Sequence, residues 1–416
     1  MKAKSEFSRN VLTLMTGTAV AQAIPIAISP ILTRIYSPED FGVLGLFVAI
    51  TAVFASIANG RYELAIMLPR KDSEAINLVV LGFAICTTIS MILLLVVVFS
   101  NEKIKESLGN ESIGFWLYFV PLSVFLSGCF NVLNYYNVRR KHYKDLRNAA
   151  IAKSFVTASV QLSVGFFKSG AAGLIGGQIF SQLVANTRLI KNIGKDDLSR
   201  SLCKRKVIVL AKRYRDFPKF TLWAGLANTL SQNINNVLIS SYYGLSTLGH
   251  YSFTERMLGM PASLIGNAVG QVFFQQASKE YQQTGRAYNS FISATKKLVI
   301  ISLPVYFVLY FFVEDLFHYV FGPDWRVAGT YAKIMIPFFM IKFVVSPLTV
   351  MNQINKKNKL GMLWQFGLLF LYVFVIYFSQ LQEYTIENFL HVLVVVLSLY
   401  YLFFYFLIYS HARRNS

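Results

Sequence analysis

Twelve stretches of this chain are apolar for long enough to cross a bilayer, and that recurrence limits the possible folds more than any other feature. A helix needs about 20 mainly apolar residues to span the hydrocarbon core. The segments that meet this are 10–33, 42–60, 76–99, 114–135, 149–166, 171–187, 220–241, 251–276, 298–312, 334–352, 361–378 and 389–409, of which 149–166 and 298–312 are short or polar. Only 14% of the residues are charged, against roughly 25% in soluble domains. The expectation is an all-α integral membrane protein of about 12 transmembrane helices.

Loop charge tests the count, because cytoplasmic loops carry an excess of Lys and Arg. With the amino terminus inside, the inner segments are 1–9, 61–75, 136–153, 188–219, 277–297, 353–360 and 410–416. They hold 32 of the 40 basic residues, the opposite loops hold 6, and Arg256 and Lys342 fall within spans. One missed helix would scramble the alternation, so both termini are expected in the cytoplasm. The net charge of +20 then belongs to loops facing anionic lipid, and no nucleic-acid partner is expected. The motif Ala21-Gln22-Ala23 resembles a signal-peptide cleavage site, but the apolar run continues to Leu32 and reads as a first span.

The longest loop, about 188–219, is basic and amphipathic, a linker suited to lie on anionic lipid. It separates six spans from six. Residues 31–42 (ILTRIYSPEDFG) align with 238–249 (LISSYYGLSTLG) at an offset of 207, matching Tyr36 to Tyr243 and Gly42 to Gly249. Six is even, so both halves would enter the membrane from one side, as a parallel repeat related by a pseudo-two-fold axis with substrate between the halves. The expected domains are a bundle at 1–190, a linker at 191–216 and a bundle at 217–416.

A Lys or Arg at a helix centre costs at least roughly 2.5–3.5 kcal/mol on insertion scales, so it faces a partner or a wet cavity. Lys342 stands near the middle of its span, with Ser346 and Thr349 on the same face. Arg256 follows Glu255 about five residues into its own span, with Ser263, Asn267 and Gln271 along its face. Amide stripes run through Gln178, Gln182 and Asn186, and through Asn228, Gln232 and Asn235. Span 1 adds Gln22, Ser29 and Arg34, and span 2 ends in Asn59-Gly60-Arg61-Tyr62-Glu63. Arg34, Arg61 and Lys153 lie near span ends, where snorkelling to headgroups is the plainer reading, and amides also glue helices together. Cations and amides together suit an anionic headgroup bearing sugars, since phosphate takes charge-assisted hydrogen bonds from Lys and Arg. Acids are few in these spans: Glu63 and Glu255, each beside an arginine.

Other chemistries lack support. Three cysteines make no disulfide framework, and five scattered histidines have no metal-ligand spacing. No G-x-x-x-x-G-K-[ST] phosphate loop occurs, so no nucleotide cofactor is expected; a membrane potential or an ion gradient is the expected driver.

The stretch Leu32-Thr33-Arg34-Ile35-Tyr36-Ser37-Pro38-Glu39-Asp40-Phe41-Gly42 resembles the start of polysaccharide biosynthesis transporters. So do Gly60-Arg61-Tyr62-Glu63 through Leu68-Pro69, and Phe321-Gly322-Pro323-Asp324-Trp325. The family resembled is the Wzx-type O-antigen flippases of the MOP exporter superfamily, which also holds the MATE drug exporters and the lipid II flippase. The resemblance implies two six-helix bundles around a cavity lined largely by spans 1, 2, 7 and 8. It implies transfer of an undecaprenyl-diphosphate-linked oligosaccharide to the periplasmic leaflet, for lipopolysaccharide or related polysaccharide synthesis. A polymerase and a chain-length regulator are the expected protein partners. On that carry-over Gln22, Arg34, Arg61, Asn228, Gln232, Arg256 and Asn267 would line the cavity, while Lys342 comes from span 10, outside those helices. Two rivals remain: a MATE-like drug or cation exporter, and a membrane polymerase or glycosyltransferase, for which the outer loops are short.

Overall fold

The computed structural model describes residues 2–167, 170–194, 202–354 and 358–413, without the side chains of 2–12, 14, 15, 261, 263, 264, 267, 268, 353, 358 and 359. The described residues are overwhelmingly helical, as a bilayer demands, because a helix satisfies its backbone hydrogen bonds within one segment. α1 (Lys2–Ile35) contains Pro25 and Pro30. Pro30 has no N–H to offer the Ile26 carbonyl, and the Ser29 hydroxyl donates to that oxygen instead, at 2.6 Å. Ser29, read from sequence as a possible cavity group, therefore has a local structural task.

α2 (Pro38–Ala55) begins at a capping box. The Ser37 hydroxyl accepts from the Asp40 amide, Asp40 accepts from the Ser37 amide, and Pro38 occupies the first turn. This motif fixes the re-entry after α1. Nearby, Tyr36 donates its phenol to the Gln161 carbonyl at 2.6 Å, buried. A short turn, Tyr62–Ala65, leads to α3 (Asp72–Leu108). Next come α4 (Val120–Arg139), α5 (Tyr143–Gly165), α6 (Ala172–Ile190) and the short basic helix α7 (Lys204–Arg213). A π-helical turn at Phe217–Thr221 opens α8 (Leu222–Tyr243). α9 (Leu245–Pro261) joins α10 (Asn267–Thr284) through a second π turn at Ala262–Gly266. α11 (Tyr288–Leu316), α12 (Arg326–Leu348), α13 (Asn358–Leu381) and α14 (Ile386–Arg413) complete the chain.

Among the described residues, eight helical stretches are long and apolar enough to cross a membrane by length and composition. Helices also overlie the other expected segments, as α5, α6, α8 and α9 with α10. These are richer in amides and hydroxyls, among them Gln161, Gln178, Asn228 and Gln271. The short span expected at 298–312 lies inside the 29-residue α11, which extends it at both ends.

Contacts divide the chain into two units, Met1–Ser246 and Thr247–Ser416. In the first, α5 packs along α1 and α6, α3 along α4, and α2 along α8. In the second, α12 packs against α11 and α14. The contact boundary follows α8, whereas the sequence reading divides the chain at the basic linker 191–216; α8 is grouped with the first unit because it packs on α2. The backbones meet closely near its end: a β-carbon on Gly42 would fall 1.9 Å from the Leu245 carbonyl oxygen.

Candidate functional site

In the first unit the polar groups converge on the Gly60-Arg61-Tyr62-Glu63 turn. Gly60 and Arg61 both adopt left-handed backbone, with φ of 57° and 63°. Glycine does so freely, whereas an L-residue pays roughly 1–2 kcal/mol. The conformation carries the Arg61 side chain to α8, where its Nη2 lies 1.8 Å from where a β-carbon on residue 225 would stand. Residue 225 is glycine, and its missing side chain makes the seat. Asn228 and Gln232 follow Gly225 at i+3 and i+7, on the same helix face, and the Gln232 amide donates to Asn228 Oδ1 at 3.2 Å. Of the sequence-predicted residues, Arg61 thus meets the helix that carries Asn228 and Gln232, one and two turns before them.

Glu63 supplies the countercharge, its Oε1 3.8 Å from Arg61 Nη1. The Glu63 side chain is 5% exposed and that of Arg61 22%. Arg61 Nε and Glu63 Oε2 are buried without a hydrogen-bond partner, and an unmade buried bond costs roughly 1–3 kcal/mol. Glu63 lies between the spans of α2 and α3. Burial pushes its carboxyl above the ordinary range, opposed by its own backbone contact and by Arg61. A strained backbone and two buried side-chain atoms without hydrogen bonds at one turn mark a place where stability has been given up for another purpose.

The turn is held firmly from behind. Arg139 at the end of α4 donates to Asp72 at 2.9 Å and to the carbonyls of Ile66 and Pro69 at 3.2 and 2.8 Å. Arg140 reaches the other Asp72 oxygen at 2.6 Å. Tyr62 donates its phenol to the Ala211 carbonyl of α7 at 3.0 Å.

The remaining first-unit candidates are both on α1. Gln22 is half-buried on α1. Arg34 is exposed and folds back on its own helix, donating to the Pro30 carbonyl at 2.6 Å. Twelve residues of helix separate the two by about 18 Å.

In the second unit Arg256 is exposed and Lys342 half-buried. Lys342 Nζ lies 5.6 and 5.2 Å from the ring centroids of Phe338 and Phe339, one turn back on α12, a cation–π arrangement. It also acts electrostatically on Glu255 of α9, which accepts a hydrogen bond from Tyr251. The Glu255 carboxylate, adjacent to Arg256 in sequence, is thus engaged by Tyr251 and Lys342. The side chain of Asn267 lies outside the described residues.

Sequence reasoning missed Gly225, Tyr62 and Arg139. Gly225 had one available signal, a glycine at i−3 from the first amide of the α8 stripe. Arg139 and Tyr62 act through backbone carbonyls, which leave no mark in composition or spacing.

A family profile described as polysaccharide biosynthesis protein matches residues 31–330. The succinoglycan biosynthesis transport protein ExoT of Rhizobium meliloti (strain 1021) is 24% identical over 75% of this chain and 61% of its own length. The teichuronic acid biosynthesis protein TuaB of Bacillus subtilis (strain 168) is 25% identical over 39% of this chain and 33% of its own. The chain therefore spans less than two thirds of either relative. Among solved structures, the lipid II flippase MurJ in an inward closed conformation superposes with a TM-score of 0.70 at 10% identity, covering 96% of this chain and 90% of that one. An inward-facing multidrug resistance MATE transporter of the MOP superfamily gives 0.68 at 14% identity, covering 95% and 96%. At such identities the likeness is one of fold.

Proposed function

Because this chain belongs to the polysaccharide biosynthesis protein family matched over residues 31–330, we propose that it is a flippase for undecaprenyl-diphosphate-linked oligosaccharide repeat units. It takes them from the cytoplasmic leaflet of the bacterial inner membrane and releases them in the periplasmic leaflet. The observation that carries this reading is the chemistry of the polar groups among the helices. Arg61 sits against the Asn228 and Gln232 face of α8, and Arg256 and Lys342 add two cations in the second unit. Cations suit the diphosphate, and the amides suit sugar hydroxyls.

The cycle follows the physics of alternating access, in which one bundle rocks against the other around a fixed site. Cytoplasmic opening admits the diphosphate to the cations, and rocking exposes it outside. A membrane potential or an ion gradient drives the cycle, and a polymerase with its chain-length regulator consumes the product.

Deleting the gene and extracting lipids tests this. Undecaprenyl-linked repeat units should accumulate in the inner leaflet while surface polysaccharide falls. Unchanged lipid-linked sugars with increased drug sensitivity would favour a drug or cation exporter. That second reading draws on the MATE likeness in fold and on the intramembrane carboxylate of Glu255, and it requires an acid, not a base, to be indispensable.

A further inference from the structure

The helix α7 has two faces, and only one is accounted for by the protein. Val207, Leu210, Ala211 and Tyr214, at i, i+3, i+4 and i+7, turn inward. Leu210 is 3% exposed, in a core with Tyr62, Ala65, Ile66 and Val79. Three tethers fix this face. The Cys203 amide donates to Asn77 Oδ1 at 3.1 Å, Tyr62 donates to the Ala211 carbonyl at 3.0 Å, and Arg213 pairs with Glu74 at 3.4 Å.

The opposite face carries Arg205, Ile208, Val209 and Lys212, all exposed. Ile208 and Val209 are each 50% exposed, side by side between two cations. The ten-residue helix, KRKVIVLAKR, has five basic residues and no acid. Two aliphatic side chains framed by cations are the pattern of a helix lying in the interfacial plane of an anionic bilayer. The cations take the headgroups, and the aliphatics reach the acyl boundary.

We propose that the Arg205, Ile208, Val209 and Lys212 face of α7 docks on anionic phospholipid, and that this docking holds the Arg61 turn in its left-handed form through the Tyr62–Ala211 hydrogen bond. The lipid contact concerns the surrounding bilayer and not the transported molecule. It goes beyond the transport reading in giving the basic linker a regulatory task. Tyr62 is the residue next to Arg61, so a shift of α7 moves the backbone that aims the guanidinium. A bilayer poor in anionic lipid loosens α7, and with it the seat of Arg61 on Gly225.

The experiment uses the full chain in nanodiscs. A bimane on Val209→Cys, in a Cys203→Ser background, reports contact with brominated lipid; Cys86 and Cys129 are buried. Quenching by brominated phosphatidylglycerol should exceed quenching by brominated phosphatidylcholine by roughly threefold, and Arg205→Glu with Lys212→Glu should abolish the difference. In parallel, amide hydrogen exchange over residues 60–66 should slow in phosphatidylglycerol discs, and Tyr62→Phe should remove that dependence. Equal quenching by both lipids would show the face docked elsewhere, on a protein or nowhere, and overturn the proposal. Preferential quenching with lipid-independent exchange at 60–66 would overturn the link to Arg61. Neither arm needs a transported substrate, so a failure here is distinguishable from a failure of the flippase reading.

Discussion

The guanidinium of Arg61 occupies the space that a β-carbon on residue 225 would fill. One residue donates a charge and the other withholds a side chain, and the contact exists only because both do so. The arginine meets the glycine from a left-handed backbone, at φ of 63°.

Gly225→Ala tests the seat. Within a helix this change favours the fold by about 0.5–1 kcal/mol, and the group it displaces is the far end of a flexible side chain. Thermal stability should hold or rise while surface polysaccharide falls roughly ten- to hundredfold, as displaced catalytic or binding groups do. Immunoblots of the membrane fraction beside a polysaccharide gel separate the two effects.

Arg139→Ala removes a donor from Asp72 and from the carbonyls of Ile66 and Pro69. Leaving such groups unpaired should lower stability by about 1–3 kcal/mol. A thermal melt in detergent measures it, and Arg139→Lys, unable to fork, should recover only part.

The pH dependence of stability carries a signature of Glu63. Its carboxyl is raised in the folded state by burial, with its backbone contact and Arg61 opposing. The folded state therefore holds the proton more tightly than the unfolded chain, and stability rises with protonation. The contribution is full below the unfolded carboxylate range and is lost as pH climbs through the raised folded value. Melting temperature should fall over that window, and Glu63→Gln should flatten the fall. An identical slope in both proteins would remove Glu63 as its source.

Arg256→Ala and Lys342→Ala should leave the protein folded and reduce surface polysaccharide, with lipid-linked repeat units accumulating. Full activity in both variants would withdraw the second unit's cations from the substrate path.

Much of this was legible in the sequence because hydrocarbon imposes a simple code. The apolar lengths and loop charges anticipate helices at every expected segment, and the resemblance carried by Leu32–Gly42 and Gly60–Pro69 agrees with the family matched. The site was legible only in part. Arg61, Asn228 and Gln232 stood out as polar groups beside or within apolar runs, and the structure seats Arg61 on Gly225 of the helix that carries the two amides. Ser29 stood out for the same reason, yet it answers a proline in its own helix. Polarity in a span marks a constraint, and only geometry separates a substrate's need from a backbone's. Arg139 looked like one more positive loop charge, since a residue that binds carbonyls has partners without chemical identity.

The fork of Arg139 gives residues 66–72 a rigid foundation. Four points of attachment, three carbonyls and one carboxylate, rivet that stretch to the end of α4, so it travels as an appendage of that helix. A spin label or fluorophore at Met67 would consequently report any displacement of α4, which makes an unassuming connector a convenient handle on that helix.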